Sequence, residues 1–148
     1  MTDRVRTEFD SRDTHCIVLV VDDEPVIREL LAMFLEDEGY TVRQACDGLE
    51  ALREVDTDEV DLVLSDVKMP RLDGVTLAHR LAARDPPVPI VLMSAVAPQG
   101  IPAEVPFLRK PFALDYLVAV IASALPGNAQ SPAVGRVRHY IQQTRLLS

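Results

Sequence analysis

The stretch "VLSDVKMPRLDG", residues 63–74, ends an apolar run with an acidic residue, Asp66, and continues with a Met-Pro pair and an Asp-Gly turn signal. Burial of a carboxylate at the edge of a hydrophobic core is costly unless another group pairs with it. Two explanations are open from this stretch alone. Either Asp66 belongs to a chemical site, or it only caps the helix that follows.

Around this stretch the apolar pattern changes repeatedly between the period of a strand and that of a helix. Strands alternating with helices imply right-handed crossovers and a parallel sheet, so we predict an α/β fold with five strands and helices on both faces. Strands are expected at 16–23, 40–46, 60–66, 88–95 and 105–110, and helices at 25–38, 47–55, 74–85 and 113–125.

Two of the predicted helices carry apolar residues that we expect to face the core. In the first, the inward stripe comprises Val26, Ile27, Leu30, Leu31, Phe34 and Leu35. In the closing helix it comprises Leu114, Leu117, Val118, Ile121 and Leu125.

The interval 97–104, "APQGIPAE", lies where a fourth helix is expected before the fifth strand. It contains Pro98, Gly100 and Pro102, and proline inside a helix costs about 3 kcal/mol. We therefore predict a loop or at most one turn, so that the fourth helix is shortened or absent.

The composition is that of a soluble globular protein, with 48% apolar and 26% charged residues in 148. No apolar run approaches the roughly 20 residues of a membrane span, and residues 1–15 form a polar N-terminal extension without a signal core. A cytoplasmic, non-membrane protein is therefore expected.

Cys16 and Cys46 are predicted to be buried reduced thiols inside strands, and the three histidines lack the spacing of metal ligands.

The net charge of -8 is unevenly distributed. Residues 1–125 hold 12 basic and 23 acidic residues, whereas residues 126–148 hold three arginines and no acid. An acidic body repels nucleic acid phosphates, so direct nucleic acid binding is not expected.

The C-terminal residues divide into a linker, 126–131, and a tail, 132–148, in which Ser131 and Pro132 give a helix-start signal. The tail predicts a short amphipathic helix, although Gly135 weakens it by roughly 1 kcal/mol. A disordered or self-docking tail is favoured over a partner-binding one, and both stay open. The apolar positions are Val134, Val137, Ile141, Thr144 and Leu147.

In an open parallel sheet, ligands bind beyond the carboxyl ends of the strands. Taken singly, each polar residue at these ends is better explained as a solvated strand end or a helix cap; their joint position at one edge favours a site. Carboxylates held close together repel one another unless a cation lies between them, and a few hard oxygen ligands suit Mg²⁺. The residues concerned are Asp22, Asp23, Asp66, Ser94 and Lys110.

The same group of side chains is suited to phosphoryl transfer. Lys110 and Ser94 would stabilise a phosphoryl group passing to the Asp66 carboxylate, which would act as the nucleophile and become an acyl phosphate.

Four motifs, "VVDDEP", "LSDVKMPRLDG", "VLMSA" and "FLRKPF", resemble the receiver domain of two-component response regulators, chemotaxis regulators among them. The resemblance covers residues 16–125 and implies a flavodoxin-like, doubly wound sheet in the order 2-1-3-4-5. It further implies that Mg²⁺ (or Mn²⁺) is bound by Asp23, Asp66 and the backbone carbonyl of Lys68, with Asp22 acting through a water. No other cofactor is implied.

The resemblance also implies a conformational switch. Asp66 is the phosphoacceptor, Ser94 the switch hydroxyl, Phe107 the aromatic switch residue, and Lys110 the cation that contacts the phosphoryl group. The Lys110-Pro111 peptide is expected to be cis. The shortened interval before the fifth strand departs from the family, and an ammonium at Lys68 is expected to lengthen the life of the acyl phosphate.

The function that the resemblance implies is signalling rather than enzymatic turnover: the chain catalyses only its own phosphorylation and dephosphorylation. The donor would be a sensor histidine kinase or a histidine phosphotransfer protein, and the output a contact with a protein effector, since 23 residues after the domain are too few for a common DNA-binding module. Two alternatives are a non-phosphorylated scaffold and a phosphohydrolase using Asp22 with Glu24. The oligomeric state is open.

Overall fold

A computed structural model describes residues 16–57 and 59–126. The predicted extension 1–15, all of the linker after Pro126 and the predicted tail helix 132–148 lie outside these ranges. In chain order the elements are β1 (Ile17–Val21), α1 (Pro25–Asp37), β2 (Thr41–Ala45), α2 (Gly48–Thr57), β3 (Leu62–Asp66), α3 (Gly74–Ala82), β4 (Ile90–Ser94), β5 (Phe107–Arg109) and α4 (Leu114–Ala124).

The five strands form one parallel sheet in the order β2-β1-β3-β4-β5, which confirms the predicted topology. In β1, Val18 pairs with Val42 of β2 on one side and with Leu62 of β3 on the other. All four pairings are parallel, so the carboxyl ends of β1, β3, β4 and β5 lie along one edge of the sheet.

The core is divided by the sheet into two layers because successive side chains of a strand point to opposite faces. On one face Val18 and Val20 of β1 belong to a cluster with residues of α1 and α4, among them Leu35 and Leu117. On the other face Leu19 and Val21 belong to a cluster with residues of α2 and α3. Helices therefore cover both faces, as the near-continuous apolar strands predict.

The predicted inward stripe of α1 is partly wrong. Leu31 and Leu35 are buried, but Val26 is 77% exposed and Leu30 is 53% exposed. The six predicted residues span more of the helix circumference than one contact face can cover, and Ala32, which was not predicted, is buried in their place. In α4 the prediction holds better, since Leu117, Val118, Ile121 and Leu125 are all buried and Leu114 is partly buried.

No helix lies between β4 and β5, which confirms the prediction for this interval. The chain forms a turn in which the Val105 N–H donates to the Pro102 carbonyl at 3.1 Å. Four helices are therefore present within residues 16–57 and 59–126.

Element ends account for the smaller differences from the sequence prediction. Helix α3 ends at Ala82, three residues before the predicted end at Asp85. The Arg84 N–H donates to the Leu81 carbonyl at 3.3 Å, which tightens the last turn, and Asp85 precedes Pro86, where the helical conformation is disfavoured. Cys16 and Cys46 each lie one residue outside a strand; both are free thiols, and they are half-buried rather than buried. In the described part of the chain, none of the helices has the length and apolar character to cross a membrane.

Candidate functional site

Three carboxylates meet at the carboxyl edge of the sheet. Asp22 and Asp23 follow β1 directly, and Asp66 is the last residue of β3. One oxygen of each carboxylate lies within 4.8 Å of the others. Asp22 is completely buried, Asp66 is partly buried and Asp23 is exposed, so the cluster opens to solvent on the Asp23 side.

Lys110 places a positive charge beside these carboxylates. Its Nζ lies 3.5 Å from Asp66 Oδ1 and 4.0 Å from Asp22 Oδ2. The backbone positions it, because the Lys110 N–H donates to the Ser94 carbonyl at 2.9 Å as β5 ends beside β4. The Lys110-Pro111 peptide is cis, as expected.

The two carboxylate oxygens of Asp22 differ in their hydrogen bonding. Its Oδ1 accepts the Glu24 N–H at 2.9 Å, whereas its Oδ2 is buried without a hydrogen-bond partner. Burial raises the pKa of Asp22, and the Asp66 and Asp23 charges raise it further, while the Glu24 N–H and Lys110 lower it. Three carboxylate oxygens, one of them buried without a hydrogen bond, are a set that fits a hard divalent cation such as Mg²⁺.

Asp66 is held by the first residues of the loop that follows it. Its Oδ1 accepts the Val67 N–H at 2.9 Å, and the Val67 carbonyl accepts the Gly74 N–H at 2.8 Å. A Cβ on Gly74 would lie 2.4 Å from the Asp66 carbonyl oxygen, so this close approach requires glycine. Asp73 caps α3 by accepting the Thr76 N–H at 2.8 Å. The Asp-Gly signal in the sequence therefore marks both a helix cap and a backbone contact with the site.

The remaining predicted site residues are Ser94, Phe107 and Lys68. Ser94 ends β4, is 6% exposed, and its Oγ accepts the Val96 N–H at 3.3 Å. Phe107 begins β5 and packs in the core layer of α2 and α3 together with Val105. Lys68 is exposed, two residues after Asp66. Ser94 and Lys110 thus join the carboxylates at one edge, whereas Phe107 lies below it in the sheet.

One ion pair near the site was not anticipated from the sequence. Asp47 is buried; its Oδ1 accepts the Glu50 N–H at 2.9 Å, and its Oδ2 accepts from Arg71 Nε at 2.8 Å and from Arg71 Nη2. The Glu50 N–H and the Arg71 guanidinium hold the pKa of Asp47 below its ordinary range, although burial opposes them. Arg71 has a φ of 70° at the centre of a turn closed by the Leu72 N–H on the Pro70 carbonyl. The pair therefore attaches the loop after Asp66 to the start of α2.

A capping signal at 47–50, "DGLE", could have shown that Asp47 begins a helix. Nothing local could have shown that Arg71 is its partner, because the two residues are brought together only by the fold.

Residues 18–122 match the family model described as "Response regulator receiver domain". The chain belongs to this family. A receiver domain is a signalling domain of two-component systems, and the acidic cluster at its sheet edge fits Mg²⁺ binding.

Curated relatives of this receiver domain include response regulator MprA of Mycobacterium ulcerans, which is 39% identical over 115 residues that cover 73% of this chain and 49% of the relative. MprA of Mycobacterium avium is 38% identical over 115 residues that cover 73% of this chain and 50% of the relative. The chain therefore spans about half the length of the curated relatives that it matches.

Solved structures with the same fold include chemotaxis response regulator CheY4 of Vibrio cholerae, with a TM-score of 0.67 and 28% identity over 76% of this chain and 100% of that one. Response regulator TrrA of Thermotoga maritima, solved in complex with Mg²⁺-BeF, has a TM-score of 0.66 and 32% identity over 74% of this chain and 99% of that one.

Proposed function

We propose that this receiver domain accepts a phosphoryl group on Asp66 from the phosphohistidine of a sensor histidine kinase or a histidine phosphotransfer protein, in a reaction that depends on Mg²⁺. The observation that carries the proposal is the position of the Asp66 carboxylate, 3.5 Å from Lys110 and within 4.8 Å of the Asp22 and Asp23 carboxylates. We call the cluster of Asp22, Asp23, Asp66 and Lys110 the acidic site.

The metal, Mg²⁺ or Mn²⁺, would be held by Asp23, Asp66 and the carbonyl of Lys68, with Asp22 contributing through a water. The fit rests on the oxygen-only donor set and on the buried Asp22 Oδ2, which has no hydrogen bond and has only Lys110 at 4.0 Å to offset its charge. When bound, the ion would neutralise charge that develops on the transferring phosphoryl oxygens. The complex of TrrA with Mg²⁺-BeF supports this assignment by similarity.

The proposed reaction is a single displacement at phosphorus. The observed contacts of Val67 and Lys110 both reach Asp66 Oδ1, so we assign the attack to Oδ2. A bond forms between this oxygen and phosphorus, the phosphorus–nitrogen bond of phosphohistidine breaks, and the imidazole nitrogen leaves with its electron pair and takes up a proton. Lys110 and the Ser94 hydroxyl stabilise the phosphoryl oxygens by position and charge.

The phosphorylated state would be signalled by Ser94 and Phe107. The Ser94 hydroxyl accepts the Val96 N–H at 3.3 Å, a contact long enough to be exchanged for a phosphoryl oxygen. The Phe107 ring is partly buried and would turn into the space that the hydroxyl leaves. A two-state element of this kind converts one local charge event into a change of surface.

An exposed apolar stripe on α1 supports a protein as the phosphodonor. Val26 is 77% exposed, Leu30 is 53% exposed and Met33 is 67% exposed, and their spacing places them on one side of the helix. Helix α1 begins two residues after Asp23, so a helical donor that packs against this stripe would reach the acidic site.

The output is proposed to be a contact with a protein effector, and direct binding to nucleic acid is not proposed, since 23 acidic and 12 basic residues lie in residues 1–125. The division into a receiver domain at 16–125, a linker at 126–131 and a tail is part of this proposal. The cytoplasmic location, and the longer life that Lys68 gives the acyl phosphate, stay predictions from the sequence.

The test is incubation with Mg²⁺ and a small phosphodonor, followed by the intact mass. We expect the wild-type chain to gain one phosphoryl group and the Asp66→Asn variant to gain none. Asp37→Asn, which removes an exposed carboxylate at the end of α1, is the matched control and should behave as the wild type. A wild-type chain that gains no phosphoryl group would favour a scaffold that is never phosphorylated.

A further inference from the structure

A large apolar groove lies between α3 and α4, beside the amino-terminal ends of β4 and β5. It has a volume of about 970 Å³ and is lined by the last turns of α3, by α4 from Tyr116 to Ala124, by the residues leading into β4, and by Pro102 and residues 104–106 before β5. Its lining includes Ala82, Val105 and Val120, and it exists where no helix covers the chain between β4 and β5. We call this feature the C-terminal groove.

The lining of the C-terminal groove indicates what it can bind. Most of it is alanine, valine and proline, and Glu104 is its charged residue. An occupant would therefore offer a narrow row of apolar side chains and positive charge. These features suit an amphipathic basic helix better than a polar metabolite.

The chain itself carries such a segment directly beyond the groove. Pro126, the last residue that the structure describes, lines the groove, and residues 127–148 follow it. Residues 132–148 place five residues near one side of a helix, with three arginines and no acidic residue. These five residues are Val134, Val137, Ile141, Thr144 and Leu147, with Tyr140 beside them.

We propose that the segment 132–148 of this chain occupies the C-terminal groove as an amphipathic helix. It would cover the face that is left open because no helix lies between β4 and β5. Five residues, 127–131, span at most about 17 Å, so the segment cannot move far from the groove. A helix of 17 residues is about 25 Å long, enough to cross the face between α3 and α4. Attachment through a short linker makes the contact intramolecular and gives the segment an effective concentration in the millimolar range. This inference does not depend on phosphorylation of Asp66.

The test measures whether the groove of the full chain is already filled. A synthetic peptide of residues 127–148 is titrated calorimetrically into three full-length proteins: the wild type, the double variant Val137→Asp/Ile141→Asp, and Gln142→Asp. The double variant places charge on the apolar row and should release the groove, whereas Gln142→Asp places the same charge on the opposite side of the predicted helix. We expect the peptide to bind the double variant roughly tenfold more tightly than the other two, as for a site that is free about a tenth of the time.

Two further variants locate the contact. Ala82→Arg, made in the double variant, puts a long cationic side chain into the groove and should abolish peptide binding. Ala83→Arg, which changes the next exposed residue outside the lining, should leave it intact. Three results would each overturn the proposal. The first is equal affinity of the peptide for all three proteins, and the second is absence of binding to the double variant. The third is a wild type that is dimeric while the double variant is monomeric. The last result would assign the groove to a second copy of the chain.

Discussion

At the level of single residues, the pairing of Asp47 with Arg71 links the loop after Asp66 to the start of α2. Arg71 belongs to the loop that contains Lys68, and Asp47 precedes α2. The bond therefore adds a polar attachment to a loop that is also held by the buried Leu72 side chain and by its two ends at Asp66 and Gly74.

We predict that Asp47→Asn lowers the free energy of unfolding by about 1–2 kcal/mol at pH 7, because the buried carboxylate accepts charge-assisted hydrogen bonds and the half-exposed Arg71 limits their strength. The pKa of Asp47 is lowered in the folded protein from its ordinary value of 3.8. Its contribution is therefore complete above pH about 4 and is lost as the pH falls through the lower folded value. Urea unfolding of both proteins across this range measures the difference.

The control for this prediction is Asp56→Asn, which breaks an ion pair of the same type. Asp56 and Arg84 are bonded at 2.8 Å, but their side chains are 61% and 36% exposed. Such pairs contribute about 0–1 kcal/mol. An Asp56→Asn effect as large as that of Asp47→Asn, or an Asp47→Asn effect that persists unchanged at pH 3, would contradict the argument.

At the level of elements, the start of α3 lies close against the end of β3. We predict that Gly74→Ala destabilises the domain by roughly 1–3 kcal/mol, because the added Cβ would meet the Asp66 carbonyl oxygen at 2.4 Å and the Val67 Cα at 2.9 Å, and backbone atoms must shift to accommodate it. Because the backbone that must shift belongs in part to Asp66, the rate of phosphoryl incorporation should fall as well.

The comparison variant is Thr76→Ala, at an exposed position of the same helix. It should change neither the urea midpoint nor the rate of phosphoryl incorporation measured by intact mass. If Gly74→Ala matched Thr76→Ala in both measurements, the close approach of α3 to β3 would not be needed for the site.

Most elements could be predicted from the sequence because their signals are local. The buried strands are continuous apolar runs, the prolines of 97–104 exclude a helix, and the polar residues at strand ends converge once the sheet is parallel. The contacts that were missed depend on three-dimensional packing. Which side of α1 faces the sheet, and which cation meets Asp47, are decided by neighbours distant in sequence.

At the level of the whole molecule, charge and stability are coupled through the acidic site. We predict that Mg²⁺ raises the thermal midpoint, because an ion that binds only the folded chain stabilises it by about 2.7 kcal/mol at a concentration 100 times its dissociation constant. Differential scanning fluorimetry over a range of Mg²⁺ concentrations measures the effect. Its size should follow a single-site binding curve.

The variants that check this prediction are Asp23→Asn, which should reduce the midpoint shift strongly, and Asp37→Asn, which should retain it. A shift of equal size in both variants would show that Mg²⁺ acts on the general negative charge of the chain rather than at the acidic site.

The Asp22 carboxylate also constrains how this chain can change by mutation. Its buried Oδ2 has no hydrogen-bond partner, only the Lys110 Nζ at 4.0 Å, which is unfavourable for folding, and such a group is retained in a protein when its use outweighs that cost. Neutral substitutions of Asp22 should therefore be enriched in any laboratory selection for heat resistance carried out without divalent ions. The same selection carried out with Mg²⁺ should retain the aspartate. The presence of divalent ions during selection would therefore determine whether Asp22 is kept or replaced.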